Sequence, residues 1–199
     1  MAPTTVVLVS DSDFFHKGPD RASVYDLIKT RAPRTAVYGI WERKLGAAPK
    51  IIEEIMHFVD TLGVGDVLLV LCLGQHDVLA DQLDRTGWAV SRLTLLAEKY
   101  NASLLVLELF DHTEFALSQS AYAEGVATIN FSWNHEAWLD TRVQCVCTRF
   151  LSDRHFLSDQ MHLTTEGKEL LASVIVGNIR LWNCRVFVAA DCVRCLMFA

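Results

Sequence analysis

Short apolar runs alternate with longer amphipathic segments over most of this 199-residue chain. Each run has four to eight residues and is rich in Val, Ile or Leu, as is typical of strands buried on both faces. The runs are Val6–Val9, Thr35–Ile40, Asp66–Leu73 and Ser103–Leu109. Segments 21–32, 49–62 and 88–100 between them have the spacing of amphipathic helices. The alternation predicts a three-layer α/β/α domain with a central parallel sheet.

The pattern is weaker after Leu109. We expect a helix around 113–124, a short apolar run at 126–131 and a polar loop region to about Gln160. A last helix is well marked, because Thr164 or Thr165 can cap it and apolar residues recur on one face up to Ile179. No linker or repeat divides the chain. The sequence therefore predicts one domain over about 4–183, followed by an apolar tail, 184–199.

The composition excludes several classes of protein. Asp and Glu number 24 against 18 Lys and Arg, a net charge of −6, so the overall balance favours neither nucleic acid nor an anionic membrane as partner. No stretch approaches ~18 consecutive apolar residues, and Val6–Val9 is too short for a signal peptide. The six cysteines form no evident disulfide framework. We expect a soluble, intracellular protein with reduced thiols.

Polar residues follow the predicted strands, at the edge where open α/β sheets bind ligands. Ser10-Asp11-Ser12 follows the first run, Gly74-Gln75-His76-Asp77 follows the third, and Asp159-Gln160-Met161-His162 precedes the last helix. Each group taken alone also fits a helix cap or an ordinary loop. Together they contain a hydroxyl, an imidazole and a carboxylate, which a serine hydrolase needs as nucleophile, base and orienting group. A spacing of three allows Asp159 to accept the Nδ1 proton of His162 and leaves Nε2 free.

The order of these groups resembles the SGNH (GDSL-type) hydrolase family. That family has a Gly-Asp-Ser block after the first strand, Gly-x-Asn-Asp after a middle strand, and Asp-x-x-His before the last helix. The resemblance spans roughly residues 5–183. The chain is also similar to small intracellular SGNH domains of retrotransposon proteins and, more distantly, to the hydrolase-like domain of Oskar proteins, which binds RNA.

The resemblance implies roles for five residues. Ser12 would be the nucleophile, His162 the general base, and Asp159 its orienting partner. Gly39, taken to follow the second strand, would supply an oxyanion N–H together with the backbone of Ser12. His76 stands where the family has its oxyanion asparagine, and this departure puts the rate in doubt. No metal or organic cofactor is implied.

Other candidate groups have weaker support. Cys192 and Cys195, with Cys184 upstream, have the gap of a metal knuckle but lack a second pair at zinc-finger spacing. Cys145 and Cys147 alternate as on a strand, which favours packing. We interpret the remaining histidines as structural or solvated, and Trp133 and Trp138 as either core or cleft residues. A loose basic cluster has no aromatic platform beside it and is typical of a solvated face; it consists of Lys29, Arg31, Arg34, Arg43 and Lys44.

The sequence therefore favours a slow serine esterase or acyl hydrolase that acts on a small ester. The alternative is a catalytically silent SGNH-like module that binds RNA or protein. The charge predicts only weak binding to RNA. We expect the tail to extend the sheet edge or to join two subunits, because a large apolar patch normally marks an interface.

Overall fold

The computed structural model describes residues 5–17, 22–61, 66–111, 113–159 and 161–183, with the backbone alone at Ser12, Asp13, Glu114, Phe115 and Asn183. Within these residues, five parallel strands form one sheet in the order β2-β1-β3-β4-β5. The strands are β1 (Thr5–Ser10), β2 (Ala36–Trp41), β3 (Val67–Cys72), β4 (Ser103–Leu107) and β5 (Val143–Val146). The helices are α1 (Ser12–Phe15), α2 (Val24–Arg31), α3 (Ala48–Thr61), α4 (Gln75–Leu79), α5 (Thr86–Lys99), α6 (Glu114–Ser118), α7 (Ser120–Leu139) and α8 (Thr165–Asn183).

Helices flank the sheet, which confirms the predicted three-layer α/β/α class. Helix α2 packs against α8, while α5 packs between α3 and α7. Every residue of β1 and β3 is buried, as expected for strands covered on both faces. The long apolar runs of the sequence therefore mark the centre of the sheet.

Three helices confirm the periodicity of the sequence. Helix α3 buries Ile52, Met56 and Val59, and α5 and α8 also lie where the spacing predicts them. Ser23 caps helix α2, which begins at Val24: its Oγ accepts from the N–H of Asp26 while the Asp26 carboxylate accepts from the N–H of Ser23. This reciprocal capping box satisfies two otherwise unpaired donors, so it fixes the helix start three residues later than predicted.

The region after β4 differs from the prediction. Residues 126–131 lie within α7, which continues to Leu139, and β5 occupies part of the expected loop. Tyr122, Val126, Ile129 and Trp133 recur at helical spacing and are all buried, which explains the long helix. Trp133 is thus a core residue.

A long loop that contains a short 3₁₀ turn joins β5 to α8. Residues 153–155 form a 3₁₀ turn, and Thr164 then accepts the N–H of Lys168 at its carbonyl and that of Gly167 at its Oγ1. Gly167 has no space for a side chain, since a Cβ would lie 2.3 Å from the carbonyl oxygen of His155. Close packing at Gly167 therefore holds the start of α8 against the loop that carries Asp159 and His162.

The apolar tail at 184–199 lies outside the described residues, so its predicted interface stays a prediction. Among the residues that are described, no helix combines the length and the apolar character needed to cross a bilayer.

Two glycines of α8 provide a matched test of this packing. Gly167→Ala should lower the free energy of unfolding by about 1–3 kcal/mol, because the new methyl group overlaps the backbone of His155. Gly177→Ala meets no atom within 4 Å, so it should leave stability unchanged or raise it by up to about 1 kcal/mol. Thermal unfolding followed by circular dichroism measures both. Equal melting temperatures for the two variants would contradict the close contact.

Candidate active site

The candidate site lies where the carboxyl ends of β1 and β3 meet. These strands are neighbours in the sheet, but the chain leaves them toward opposite sides, which is the switch point where open α/β sheets bind ligands. Ser10 ends β1, and its Oγ donates to the carbonyl of Cys72 at the end of β3 (2.9 Å). Asp11 follows and is 1% exposed. The pairing of β1 with β3 thus brings the group Ser10-Asp11-Ser12 close to the group Gly74-Gln75-His76-Asp77.

Ser12 is the first residue of α1 and follows directly from this buried strand end. Its backbone enters a helix two residues beyond Ser10, as a nucleophile on a tight strand-to-helix turn would require. The position of its hydroxyl lies outside the described atoms. Its role as nucleophile stays a prediction.

Asp159 and His162 are in direct contact, in the arrangement that their spacing allows. The Nδ1 of His162 lies 2.7 Å from Oδ2 of Asp159, and an ionised carboxylate only accepts, so the proton is on Nδ1. The other carboxylate oxygen accepts from the backbone N–H groups of Met161 and His162, each at 3.0 Å. These three hydrogen bonds hold the carboxylate and the imidazole together and leave Nε2 of His162 as the atom available to a second partner.

The same contacts make Asp159 strongly acidic. Partial burial raises the pKa of its carboxyl group, but the hydrogen bonds from the backbone and ring of His162 and from the backbone of Met161 outweigh it. The net effect lowers the pKa to about 2. Asp159 is thus an anion throughout the neutral range, as an orienting group for imidazolium must be.

His76 lies in the first turn of α4, directly above the end of β3. Its Nε2 is 3.4 Å from Oδ2 of the buried Asp11. The preceding Gly74 has a φ of 125°, which favours glycine, and it turns the chain sharply into α4. A neutral imidazole has one N–H, so a hydrogen at Nε2 directed to Asp11 leaves only an acceptor at Nδ1.

Gly39 is not where the sequence analysis expected it. It lies inside β2, paired with Leu8 and two residues before the strand ends, rather than in the loop after the strand. The first glycine after β2 is Gly46. Its N–H donates to Oδ1 of Asp77 (3.2 Å), and the N–H of Leu45 donates to Oδ2 (2.7 Å). The predicted run Thr35–Ile40 has nearly the bounds of β2 and already contains Gly39, so this glycine was wrongly taken to follow the strand.

Two residues connect these groups: His16, which the sequence analysis interpreted as structural or solvated, and Lys168, which it did not consider. The ring of His16, just after α1, lies on the ring of His162 with centroids 4.4 Å apart and an angle of 33° between the planes. Lys168 of α8 is 1% exposed, and its Nζ donates to the carbonyls of Lys17 (2.8 Å) and Ala22 (3.2 Å). Both contacts join the segment after Ser12 to the segment around His162.

Among the residues that the structure describes, the remaining candidates do not form a second site. In the described part of the chain, no group of three His, Cys, Asp or Glu side chains is placed to hold a metal ion. Burial raises the pKa of the Cys145 thiol to about 12, so this cysteine is unreactive. Cys184, Cys192 and Cys195 lie outside the described residues. Trp138 is 81% exposed on the outer face of α7 and lines no cleft.

Comparison by sequence gives no relative, since no protein-family profile and no curated protein matches the chain. Solved structures do match. The esterase EstA from a Pseudoalteromonas species has a TM-score of 0.62 at 14% identity, and the alignment covers 89% of this chain and 97% of that one. The family 3 carbohydrate esterase of Clostridium thermocellum has a TM-score of 0.61 at 15% identity, covering 92% and 100%.

A third match is a member of the lipolytic protein G-D-S-L family from Veillonella parvula, with a TM-score of 0.61 at 11% identity. It covers 85% of this chain and 94% of that one. At such low identity the likeness concerns the arrangement of the backbone. The chain therefore has the parallel α/β/α fold of the SGNH hydrolases.

Proposed function

We propose that the chain hydrolyses small esters, with Ser12 as nucleophile, His162 as general base and Asp159 as its orienting carboxylate. The observation that carries the proposal is the 2.7 Å contact between His162 Nδ1 and Asp159 Oδ2, with the His162 ring against that of His16 in the segment after β1. An ionised Asp159 keeps the proton on Nδ1, so Nε2 is the basic atom. Esterases share this fold, which adds support.

The reaction would proceed by acyl transfer. Nε2 of His162 takes the hydroxyl proton of Ser12 as its oxygen bonds to the ester carbonyl carbon. The tetrahedral intermediate collapses, the bond to the alcohol breaks, and the imidazolium returns its proton to the leaving oxygen. Water then attacks the acyl-enzyme with the same base, releasing the carboxylic acid and the free serine.

We expect this site to stabilise the oxyanion of the tetrahedral intermediate only weakly. The N–H of Gly46 is already bound to Asp77, and the Nε2 of His76 faces Asp11. The backbone N–H of Ser12 remains as a donor, with His76 contributing a second only when both ring nitrogens carry hydrogen. Loss of one such donor typically costs about 10²- to 10³-fold in turnover. We therefore expect a slow esterase.

A binding module for RNA or protein is the second candidate function. The observation that favours it is the same His76, which replaces the asparagine donor of working SGNH enzymes and faces a carboxylate. Such a module would need neither an activated serine nor a free oxyanion donor. Submicromolar binding to single-stranded RNA at physiological salt, with a steep salt dependence, would favour this candidate over the esterase.

The nucleophile can be tested by covalent labelling. The wild-type protein should gain the mass of one phosphonyl group from a fluorophosphonate probe, because the base raises the nucleophilicity of Ser12. Ser12→Ala should remain unlabelled and His162→Ala should react at least about 10²-fold more slowly. Ser132→Ala, on the exposed face of α7, is the control and should label like wild type. A folded wild-type protein that stays unlabelled would exclude the esterase.

The role of His76 can be tested by restoring the family's residue. His76→Asn should raise the hydrolysis of an activated ester by about tenfold or more, because an amide always offers an N–H. His76→Ala should lower it. His57→Asn on the exposed face of α3 is a control for the substitution itself. Equal Ser12-dependent rates for all of these proteins would show that position 76 is no oxyanion donor.

The ring of His16 is expected to position the base. His16→Ala should lower kcat by about tenfold or more with little change in KM, because the imidazole of His162 loses the ring packed on one of its faces. His16→Phe keeps an aromatic ring there and should retain most of the rate. Steady-state kinetics on an activated ester distinguish the two. If alanine and phenylalanine variants behave alike, the ring contact has no positioning role.

A further inference from the structure

An exposed aromatic residue stands beside the segment that carries Ser12. Trp41 ends β2 and is paired with Ser10, and its side chain is 62% exposed. The next residue, Glu42, donates its N–H to the carbonyl of Ser10 (3.0 Å). These two contacts fix Trp41 at the carboxyl edge of the sheet, next to the candidate site.

Strand alternation places Trp41 on the same side of the sheet as α1. Residues two apart in a strand share a face, so Gly39 and Trp41 point the same way. A Cβ at Gly39 would lie 2.6 Å from Cε1 of Phe15, the last residue of α1. Helix α1, which begins at Ser12, therefore lies on the face to which Trp41 belongs.

A guanidinium group lies on this indole. The Cζ of Arg43 is 5.0 Å from the Trp41 ring centroid, within the range of a cation–π contact. Within the described part of the chain, no carboxylate lies within 4.0 Å of that guanidinium. Glu42 is close in sequence, but its Oε1 accepts from the backbone N–H groups of Arg43 (2.7 Å) and Lys44 (3.0 Å). Arg43 thus keeps its charge and its donors for another group.

The surroundings add to this charge. Lys44 follows directly, and its Nζ donates to the neutral amide of Gln82 (2.6 Å) and so keeps its charge. The basic residues that the sequence analysis grouped together do not form one patch in the fold, because Arg34 lies before β2 and Arg43 after it. Arg31 is paired with Glu169. A chain with a net charge of −6 therefore presents one exposed cation on a tryptophan, and a second beside it in sequence, at the edge where its candidate nucleophile lies.

We infer that Trp41 and Arg43 form a substrate subsite for esters that carry a planar group next to a carboxylate or phosphate. The indole offers a flat apolar surface, and the guanidinium offers paired N–H donors with the geometry that such anions match. Because a flat ring already lies under Arg43, the guanidinium loses little freedom when it binds an anion. The inference rests on the proposed ester hydrolysis and names its substrate class.

Binding can be measured without any turnover. We would titrate ¹⁵N-labelled protein with phenyl phosphate, benzoate and neutral benzamide, and follow the indole Nε1–H signal of Trp41, identified among the five tryptophans with Trp41→Phe. One or both anions should shift this signal, and Arg43→Gln should weaken that binding about fivefold. Arg34→Gln makes the same charge change at the other end of β2 and should bind as wild type does.

The two anions show which charged group of a substrate the subsite binds. A preference for phenyl phosphate indicates a phosphate, and a preference for benzoate indicates a carboxylate. Binding by the anions should also weaken as salt concentration rises. Equal affinities of wild type and Arg43→Gln, or benzamide binding as tightly as both anions, would overturn the inference.

Rates of ester hydrolysis distinguish a failure of this inference from a failure of the proposed function. Wild type should hydrolyse the 4-nitrophenyl monoester of terephthalic acid, whose ring bears a free carboxylate, faster than the neutral 4-nitrophenyl benzoate, and Arg43→Gln should lose that preference. Ser12-dependent hydrolysis of both esters at equal kcat/KM would reject the subsite and keep the esterase. A protein that hydrolyses neither ester but shows the Arg43-dependent binding would reject the esterase and keep the anion subsite.

Discussion

The pairing of β1 with a strand on each side determines the geometry of the whole site. Ser10 is bound to β3 through its side chain, to the residue after β2 through its carbonyl, and to both strands through the ladder. Because β1 and β3 are buried along their full lengths, the hydrophobic effect holds this register in place. Asp11, α1, His76 and Trp41 all take their positions from it.

Strands β1 to β4 were predictable from sequence, while β5 at one edge of the sheet and the length of α7 were not. Long runs of Val and Leu marked β1 and β3 since both faces of these strands are covered. Strand β5 has four residues and includes the polar Gln144, so it lacks such a run. Helix α7 was underestimated because Phe131 and Trp138 are 72% and 81% exposed on its outer face and obscure its amphipathic pattern.

The same distinction between local and long-range information applies to the site. Asp159 and His162 were identifiable because their contact spans one short loop. The contact of His16 was not identifiable, because the ring that it touches belongs to His162, far away in the sequence. The hydrogen bond between Gly46 and Asp77 was missed for a similar reason, because it joins the segments that follow two different strands. Spacing along a sequence reveals pairs of residues within one turn. It contains little information about residues that are distant in sequence and that the sheet brings together.

The contacts of Lys168 and His16 carry a consequence for the order of events during synthesis. Residues 10–17 leave the ribosome early, whereas the imidazole of His162 and the ammonium group that holds the carbonyls of Lys17 and Ala22 are among the last parts of the domain to appear. Closing so long a loop is a late and slow step. A nascent chain can thus assemble its central strands while it still lacks His162, and the contacts between the two ends of the domain form only after the carboxyl-terminal helix has docked.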